Sequence, residues 1–408
     1  MQRILKSMTN NQPDVLIIGA GVVGLGIGVA LLRSDPLLRV SILESEPRLA
    51  QHGSGRNSGV LHAGFYYSPD SLKAQLTRRG NELLRQLCHD ENVPVRECGK
   101  VVVTKNVDEN RRLVNLHARA IANGVDVKLI DSVELSRLEP LAQTHEMALW
   151  SPNTAVASPT EVTEMMARVF TRMGGEVLFN HQVERIVGNK IILVNRTAMM
   201  ARHVVNAAGL YADKIAHNAG AGMKYTILPF NGLYLYGNSQ APSLARHVYP
   251  VPDPRNPFLG VHLTVTVDGR TKIGPTAIPA FSRLNYSKFG NIRPDELWSI
   301  VTTLPKFLLS KHHDGIGLIQ SEIPKYLRRV IVKKASELVP SVRSNQFVTW
   351  GKSGIRAQLF NLEEKKLEMD FVVESVPNQT HILNAVSPAW TGSLSFGEYV
   401  ADKVLAQL

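Results

Sequence analysis

The chain has 408 residues, 44% hydrophobic and 20% charged, enough apolar material for more than one core and too little charge for a disordered protein. Its two cysteines, Cys88 and Cys98, form no C-x-x-C pair, which excludes dithiol redox chemistry and a cysteine-based zinc centre and fits a reducing compartment. The net charge of +11 speaks to partners, namely anionic substrates, an anionic membrane surface or a nucleic acid, and not to fold.

Val15 to Ile18 is a β-branched and aliphatic run suited to a buried parallel strand, and Gly19-Ala20-Gly21-Val22-Val23-Gly24 follows directly. In this G-x-G-x-x-G the first glycine permits a tight turn and the second lets backbone approach a pyrophosphate. The third lets the next helix pack on the strand. That helix is predicted from Val22 to Arg33, with its N-terminal N–H groups and dipole toward phosphate, and it stops at Ser34-Asp35-Pro36. A second strand, Val40 to Leu43, ends on Glu44, where a dinucleotide fold places the carboxylate that accepts from ribose hydroxyls. The competing reading is a membrane span, because residues 15–32 carry no charge. Glycines at 19, 21, 24, 26 and 28 argue against a stable lone helix there. Upstream, Arg3 and Lys6 imitate the start of a signal peptide, but the first ten residues are too short for a transit peptide.

Next come a loop dense in glycine and serine, His52 to Gly64, and a helix starting at Pro69-Asp70-Ser71 with leucines at 72, 76, 83, 84 and 87. The phrase Asn57-Ser58-Gly59-Val60-Leu61-His62-Ala63-Gly64, with Tyr66-Tyr67 and Ser71-Leu72-Lys73-Ala74, resembles the L-2-hydroxyglutarate dehydrogenase/oxidase family of the D-amino-acid-oxidase-like superfamily. The resemblance runs from about residue 14 to 404. It implies an α/β fold: a discontinuous Rossmann-like FAD-binding domain with an inserted mixed or antiparallel β-sheet substrate domain. The FAD-binding parts are expected at 1–90, 151–222 and 346–408, and the substrate parts at 91–150 and 223–345.

Residues 91–150 mix short strands, such as Lys100 to Thr104, with a helix around Arg111 to Asn123, and show no catalytic pattern. A helix from Ser158 to Met173 leads to His181 to Ile186, the segment that by resemblance lies along the FAD adenine and brings Val183 to it. Val204-Val205-Asn206-Ala207-Ala208-Gly209 resembles the second dinucleotide contact, with Ala208 and Gly209 small because backbone passes close to the cofactor. From Tyr225 to about Val342 the pattern is alternating strands with few long helices. Within it, Ile323 to Leu338 is predicted as one basic amphipathic helix, Lys325, Arg328, Arg329, Lys333 and Lys334 opposing an apolar stripe of Ile323, Leu327, Val330 and Ile331. Its ordinary reading is a solvated face over core; the alternative is a membrane-surface helix. Gly354-Ile355-Arg356 and Asn384 to Gly392 are again family-like, and the latter loop by resemblance sets Pro388, Ala389 and Thr391 beside the flavin and pyrophosphate, ahead of a closing helix, Leu394 to Leu405.

Oxidising a secondary alcohol beside a carboxylate needs a hydride acceptor, a base and a cation. By resemblance, hydride passes from substrate C2 to flavin N5 of non-covalently bound FAD. Histidine is the natural base near neutral pH; His62 is the first candidate because its loop passes near the flavin, and His262 the second. Arg356 is the carboxylate clamp, since a guanidinium fork matches a carboxylate. The expected cofactor contacts are Gly19, Gly21, Val22, Val23, Gly24 and Glu44, then Arg56, Asn57, Ser58 and Gly59, then Val183, Ala208, Gly209, Pro388, Ala389 and Thr391; no metal is expected.

One departure stands out: Pro229-Phe230-Asn231-Gly232-Leu233-Tyr234 has Asn231 where the family carries arginine and Leu233 where it carries a carboxylate. Their joint loss is either a compensated ion pair or a missing contact to the second carboxylate of a diacid. The resemblance implies FAD-dependent oxidation of L-2-hydroxyglutarate to 2-oxoglutarate, with electrons leaving to a quinone, an electron-transfer protein or oxygen. A cytoplasmic location is expected, with peripheral membrane association, or a mitochondrial one in a eukaryote. The rivals are oxidation of another 2-hydroxy acid, an amine oxidase acting on a glycine- or sarcosine-like substrate, and, from charge alone, a flavin-bearing RNA-binding protein. The scattered basic residues and 6% aromatics argue against nucleic acid as a partner.

Overall fold

The structure is a computed structural model that describes residues 12–286, 290, 292–312 and 314–408; Arg3 and Lys6 lie outside them. The strand Val15–Ile18, buried along its whole length, sits inside a six-stranded sheet. It pairs in parallel with Val40–Leu43 on one side and His203–Asn206 on the other. Glu176–Leu178 and Gln379–Asn384 extend the parallel run outward, and Val372–Val376 closes one edge antiparallel. A strand buried on both faces must read as continuous apolar sequence, which is why Val-Leu-Ile-Ile shows no alternation.

The apolar stretch 15–32 therefore divides at the glycine turn into that strand and the helix Val22–Ser34. Among the described residues no helix is long and apolar enough to cross a membrane. Val22–Ser34 packs on Pro159–Arg172 and on the closing helix Ser393–Leu405. Its glycines make these contacts close: a Cβ at Gly26 would lie 2.2 Å from the Ser393 carbonyl oxygen, and one at Gly28 2.7 Å from the Phe170 ring.

An eight-stranded sheet takes Lys100–Val103, Lys128–Asp131 and Met147–Ser151 from one excursion of the chain. Leu235–Tyr236, His247–Pro250, His262–Val265 and Thr271–Gly274 come from a second, and Thr349–Trp350 from beyond it. Its pairings are antiparallel except between Lys100–Val103 and His247–Pro250, so the sheet is mixed. Beside it, the long strands Tyr225–Gly232 and Gly354–Asn361 pair antiparallel over their full lengths, with Phe230 opposite Arg356. Residues 349–361, grouped by sequence with the nucleotide-binding part, thus give their strands to these two sheets.

The stretch 294–336 departs from the strand-rich expectation. It folds as the helices Pro294–Leu308, Gly315–Glu322 and Arg328–Ser336. The single helix predicted from Ile323 to Leu338 is broken: Ile323–Tyr326 is a 3₁₀ turn, and Leu327 takes an extended backbone (ψ 113°) before the helix restarts at Arg328. Pro324, which has no N–H to donate, sits in the first turn. The face assignments change with it. Lys325 is buried in an ion pair with Glu322, whose other oxygen accepts from Ala277 N at 2.7 Å, while Ile323 and Leu327 are exposed.

Because the Gly26 contact is with backbone, a methyl there cannot be accommodated by a side-chain rotation. Gly26→Ala is expected to lower the unfolding free energy by about 1–3 kcal/mol, read as an earlier urea midpoint.

Candidate active site

One cavity of about 1660 Å³ runs from the glycine turn to the eight-stranded sheet. It exceeds the usual range of small-ligand pockets, ~300–1,000 Å³, so it has room for a dinucleotide and a substrate together. At one end lie Gly19, Gly21, Val22 and Val23, and across from them Ala208 and Gly209. These two segments touch: Ala207 N donates to Ile18 O at 3.0 Å, and a Cβ on Gly19, whose φ is +104°, would sit 2.6 Å from Ala207 O. Gly21 caps the helix Val22–Ser34 and has no side chain to satisfy its N–H groups; Val22 N reaches instead to Ser54 Oγ at 3.0 Å. Glu44 lines the same end and accepts from Ala20 N at 2.9 Å, which ties the end of the second strand to the turn. Val183 is on the wall nearby.

Two expected contacts stand behind the wall. Gly24 is small because a Cβ would fall 2.0 Å from Gly19 O, so it serves the packing of helix on turn. Gly59 has φ +73° and faces Ala157 O, so its role is a backbone bend. The other loop residues, Arg56, Asn57 and Ser58, line the cavity. The loop is held by its own side chains. Asn57 Nδ2 donates to Gly53 O and Ser54 O, its Oδ1 accepts from Gly59 N, and the Arg56 guanidinium lies 4.1 Å from the centre of the Tyr286 ring. Pro388, Ala389 and Thr391 line the cavity from the other side, and Thr391 Oγ1 bridges to the loop by accepting from His62 N and donating to Val60 O, both at 3.1 Å.

His62, His262 and Arg356 all line the cavity. His62 Nδ1 is buried and has no hydrogen-bond partner among the described residues. Burial, and then the positive charge of Lys100, hold its proton affinity well below the usual histidine range. His262 begins the strand His262–Val265 and stacks on Tyr249 with ring centres 3.8 Å apart. Its Nδ1 pairs with Gly260 O at 2.8 Å, which assigns the proton to Nδ1 and leaves Nε2 as the acceptor. Arg356 Nη1 donates to Thr276 O at 2.8 Å, and burial lowers its pKa from the ordinary arginine value. Glu322, buried against Ala277, is a carboxylate whose charge Arg356 feels.

Asn231 and Leu233 are not on the cavity wall; their neighbours Gly232 and Tyr234 are. In an extended strand alternate residues face opposite sides, so Asn231, next to Gly232 at the end of the strand Tyr225–Gly232, turns away from the cavity. Asn231 is buried and donates to Asn285 O at 3.3 Å.

Sequence reasoning overlooked the buried basic and aromatic layer. Lys73 lines the cavity, is pushed down to about 8 by burial, and lies 5.9 Å from the Tyr67 ring centre. Lys100 is fully buried behind the wall. The available signal was a lone lysine opening the apolar run Lys100-Val101-Val102-Val103.

The family model described as FAD dependent oxidoreductase matches residues 14–403. The mitochondrial L-2-hydroxyglutarate dehydrogenase of Caenorhabditis elegans is 34% identical over 420 residues, covering 98% of this chain and 95% of that one. The L-2-hydroxyglutarate dehydrogenase of Escherichia coli (strain K12) is 33% identical over 399 residues, covering 96% and 93%. The chain belongs to the FAD-dependent oxidoreductases, among the L-2-hydroxyglutarate dehydrogenases. In fold it is similar to L-α-glycerophosphate oxidase from Mycoplasma pneumoniae with FAD bound, at TM-score 0.77 and 22% identity over 97% of this chain and 95% of that one. Glycine oxidase from Geobacillus kaustophilus gives TM-score 0.73 at 18% identity over 97% and 95%.

The cofactor of this FAD-dependent oxidoreductase is FAD, and the wall fits it. The first turn of a helix opens on the cavity with a glycine cap and no acidic residue, a site for pyrophosphate. A carboxylate stands at the end of the second strand for ribose, and the Gly19 and Ala207 backbones leave no space for side chains between turn and cradle.

Burial also fixes how stability responds to pH. His247 and His262 are pushed down to about 3, and His203 and His381 to about 4, in each case chiefly by burial. The unfolded chain binds protons that the native state refuses, so this stabilisation is complete above about pH 6.5 and is lost progressively as pH falls toward about 3. The thermal midpoint is expected to drop over that interval, and His247→Gln to flatten the dependence by up to about 1.4 kcal/mol per pH unit.

Proposed function

We propose that the protein catalyses FAD-dependent oxidation of L-2-hydroxyglutarate to 2-oxoglutarate with His62 as base and Arg356 as clamp. The observation that carries the reading is the presence of a buried, unpaired imidazole nitrogen and a half-buried guanidinium on the wall of one cavity that continues into the nucleotide cradle. FAD, when bound, supplies the two-electron acceptor. The protein's own work is to hold the substrate, exclude water and receive a proton. Arg356 keeps N–H groups beyond the one given to Thr276 O for the carboxylate next to the reacting carbon. His62 is neutral at physiological pH because burial and Lys100 both oppose its charged form, so its unpaired Nδ1 is free to accept the hydroxyl proton. His262, anchored through Nδ1 and stacked on Tyr249, offers Nε2 as a second acceptor. The six-stranded sheet with its helices acts as the FAD-binding domain, and the eight-stranded sheet as the substrate domain.

The diacid stays the preferred substrate because Asn231 and Leu233, the two departures from the family pattern, are off the cavity wall. Anaerobic addition of L-2-hydroxyglutarate to the holoenzyme is expected to bleach the flavin absorbance rapidly, with D-2-hydroxyglutarate, L-lactate, L-malate and glycine far slower. His62→Asn is expected to slow that bleaching by about 10²–10⁴. Faster bleaching by glycine or sarcosine would move the reading to an amine oxidase.

The electrons are proposed to leave at a membrane surface, to a quinone. Exposed apolar side chains gather in one stretch of the chain, Trp298, Val301, Leu309, Ile316, Ile323 and Leu327, and the net charge of +11 favours anionic lipid. The protein is expected to co-sediment with phosphatidylglycerol vesicles at low salt, and Trp298→Ser with Leu309→Ser to weaken that binding; a fully soluble native protein under those conditions removes this part of the reading.

A further inference from the structure

L-2-hydroxyglutarate carries two carboxylates, and a clamp at Arg356 answers one of them. Asn231 and Leu233 are off the cavity wall, so a cation for the second must come from another element. Most basic side chains on the wall are already engaged or open to water. Arg112 and Arg119 donate to Pro252 O and Tyr66 O, Lys214 pairs with Asp295 at 3.1 Å, the Arg56 guanidinium lies on the Tyr286 ring, and Arg48 and Arg293 are exposed. Lys100 is not on the wall: the rings of Phe65, Tyr66 and Tyr249 enclose its amine, with centres 4.4, 4.6 and 4.8 Å away. Lys73 is left. Among the described residues it is the one lysine or arginine that both lines the cavity and is buried, at 5% exposure.

The main chain of Lys73 is held on both sides while its amine is not. The residue lies in the first turn of the helix Leu72–Asp90, which Ser71 caps by accepting from Ala74 N at 3.1 Å. Its N–H donates to Asp370 Oδ1 at 3.0 Å, and its carbonyl accepts from Thr77 Oγ1. Asp370 is the carboxylate whose charge acts on the amine, yet its oxygens are taken by the N–H groups of Leu72, Lys73 and Phe371. Among the described residues Lys73 Nζ makes no hydrogen bond and no ion pair. It lies 5.7 Å from the ring centre of Phe371 and 5.9 Å from that of Tyr67, near the outer limit of a cation–π contact, so its N–H donors are left for a ligand. Tyr67 also faces Ser387, in the loop whose Thr391 accepts from His62 N. Burial pushes the amine down to about 8 against the pull of Asp370, which leaves it charged at neutral pH. A buried ammonium whose donors lack an acceptor is costly, and an anion in the cavity relieves that cost.

We propose that Lys73 binds the distal carboxylate of L-2-hydroxyglutarate, the one remote from the reacting carbon, and thereby selects a diacid over a monoacid. The inference rests on the reading of L-2-hydroxyglutarate as substrate and deepens it. Its physical content is a charge-assisted hydrogen bond formed away from bulk water, where such a bond is stronger than at an exposed site. The division of labour suits the two side chains: the planar guanidinium of Arg356 fixes the orientation of the carboxylate beside the reacting carbon, and the compact ammonium of Lys73 on its flexible stem follows the far end of the chain.

The test uses holoenzyme and compares L-2-hydroxyglutarate with L-2-hydroxypentanoate, which has the same carbon chain with a methyl group in place of the distal carboxylate. In Lys73→Met the ratio of kcat/KM for the diacid to that for the monoacid is expected to fall by about 10–100-fold. The gap in affinity between the products, 2-oxoglutarate and 2-oxopentanoate, read by titration calorimetry, is expected to narrow by a similar factor. Should Lys73→Met not fold, Lys73→Gln, which keeps a polar head and loses the charge, is expected to show the same two changes. A ratio and an affinity gap equal to the native ones overturn the proposal, because a lysine that only packed its helix or touched the flavin would affect both acids alike. Native holoenzyme that favours the monoacid, or oxidises neither, would instead refute L-2-hydroxyglutarate as substrate, so the two failures are distinguishable.

Discussion

The structure depends on one close approach, that of the turn after Val15–Ile18 to the backbone of Ala207 and Ala208. Both segments end parallel strands of the same sheet, and the Ala207 N–H to Ile18 O bond holds them in register. With a Cβ excluded at Gly19 by Ala207 O and at Gly24 by Gly19 O, the helix Val22–Ser34 must start immediately and lie tight on the sheet. Its N-terminus is thereby fixed at the cavity. Glu44 then couples the neighbouring strand to the turn through Ala20 N.

The opposite end of the cavity obeys a different constraint, the cost of charge out of water. His62, His247 and His262 are all driven toward neutrality by burial, while Lys73, Lys100 and Lys272 are driven down from the usual lysine value by the same cause. Lys272 offsets its burial by donating to Ser58 O, and Lys100 by its aromatic box. His62 and His262, held neutral on the wall, can accept a proton, and Lys73 and Arg356 on the same wall can attract a carboxylate. This is the electrostatic form an anionic hydroxy acid needs.

Much of this was legible in the sequence, and the reason differs by region. The strand, turn, helix and acid from Val15 to Glu44 were readable because local rules of backbone space and periodicity decide them. His62, Arg356 and Thr391 were reached through resemblance, since nothing in their spacing brings residues 62, 356 and 391 to one wall; that needs the pairing of Gly354–Asn361 with Tyr225–Gly232 and the Thr391 bridge to Val60 and His62. The amphipathic pattern of 323–338 misled because periodicity does not register the break at Pro324 to Leu327, or Lys325 turning inward to Glu322. Lys100 was invisible for a related reason: a lysine in a strand reads as an edge or a surface residue until the three rings that cover it, two from one loop and one from another strand, are known to meet.

The Asn231 and Leu233 departures show how site and scaffold part company. Asn231 lies on the long strand pair that carries Arg356, on the side opposite to Gly232, and Leu233 follows the strand's last residue and, like Asn231, is off the cavity wall. That side is packed: Asn231 is buried, hydrogen-bonded to Asn285 O, and its carbonyl accepts from Thr276 Oγ1, whose own backbone carbonyl receives Arg356. Replacing a charged pair there by an amide and a hydrocarbon relieves the desolvation of two ions and leaves the Thr276 relay to Arg356 in place, which is the condition under which losing a buried ion pair costs little. The pair can therefore vary without the Arg356 guanidinium on the cavity wall having to move.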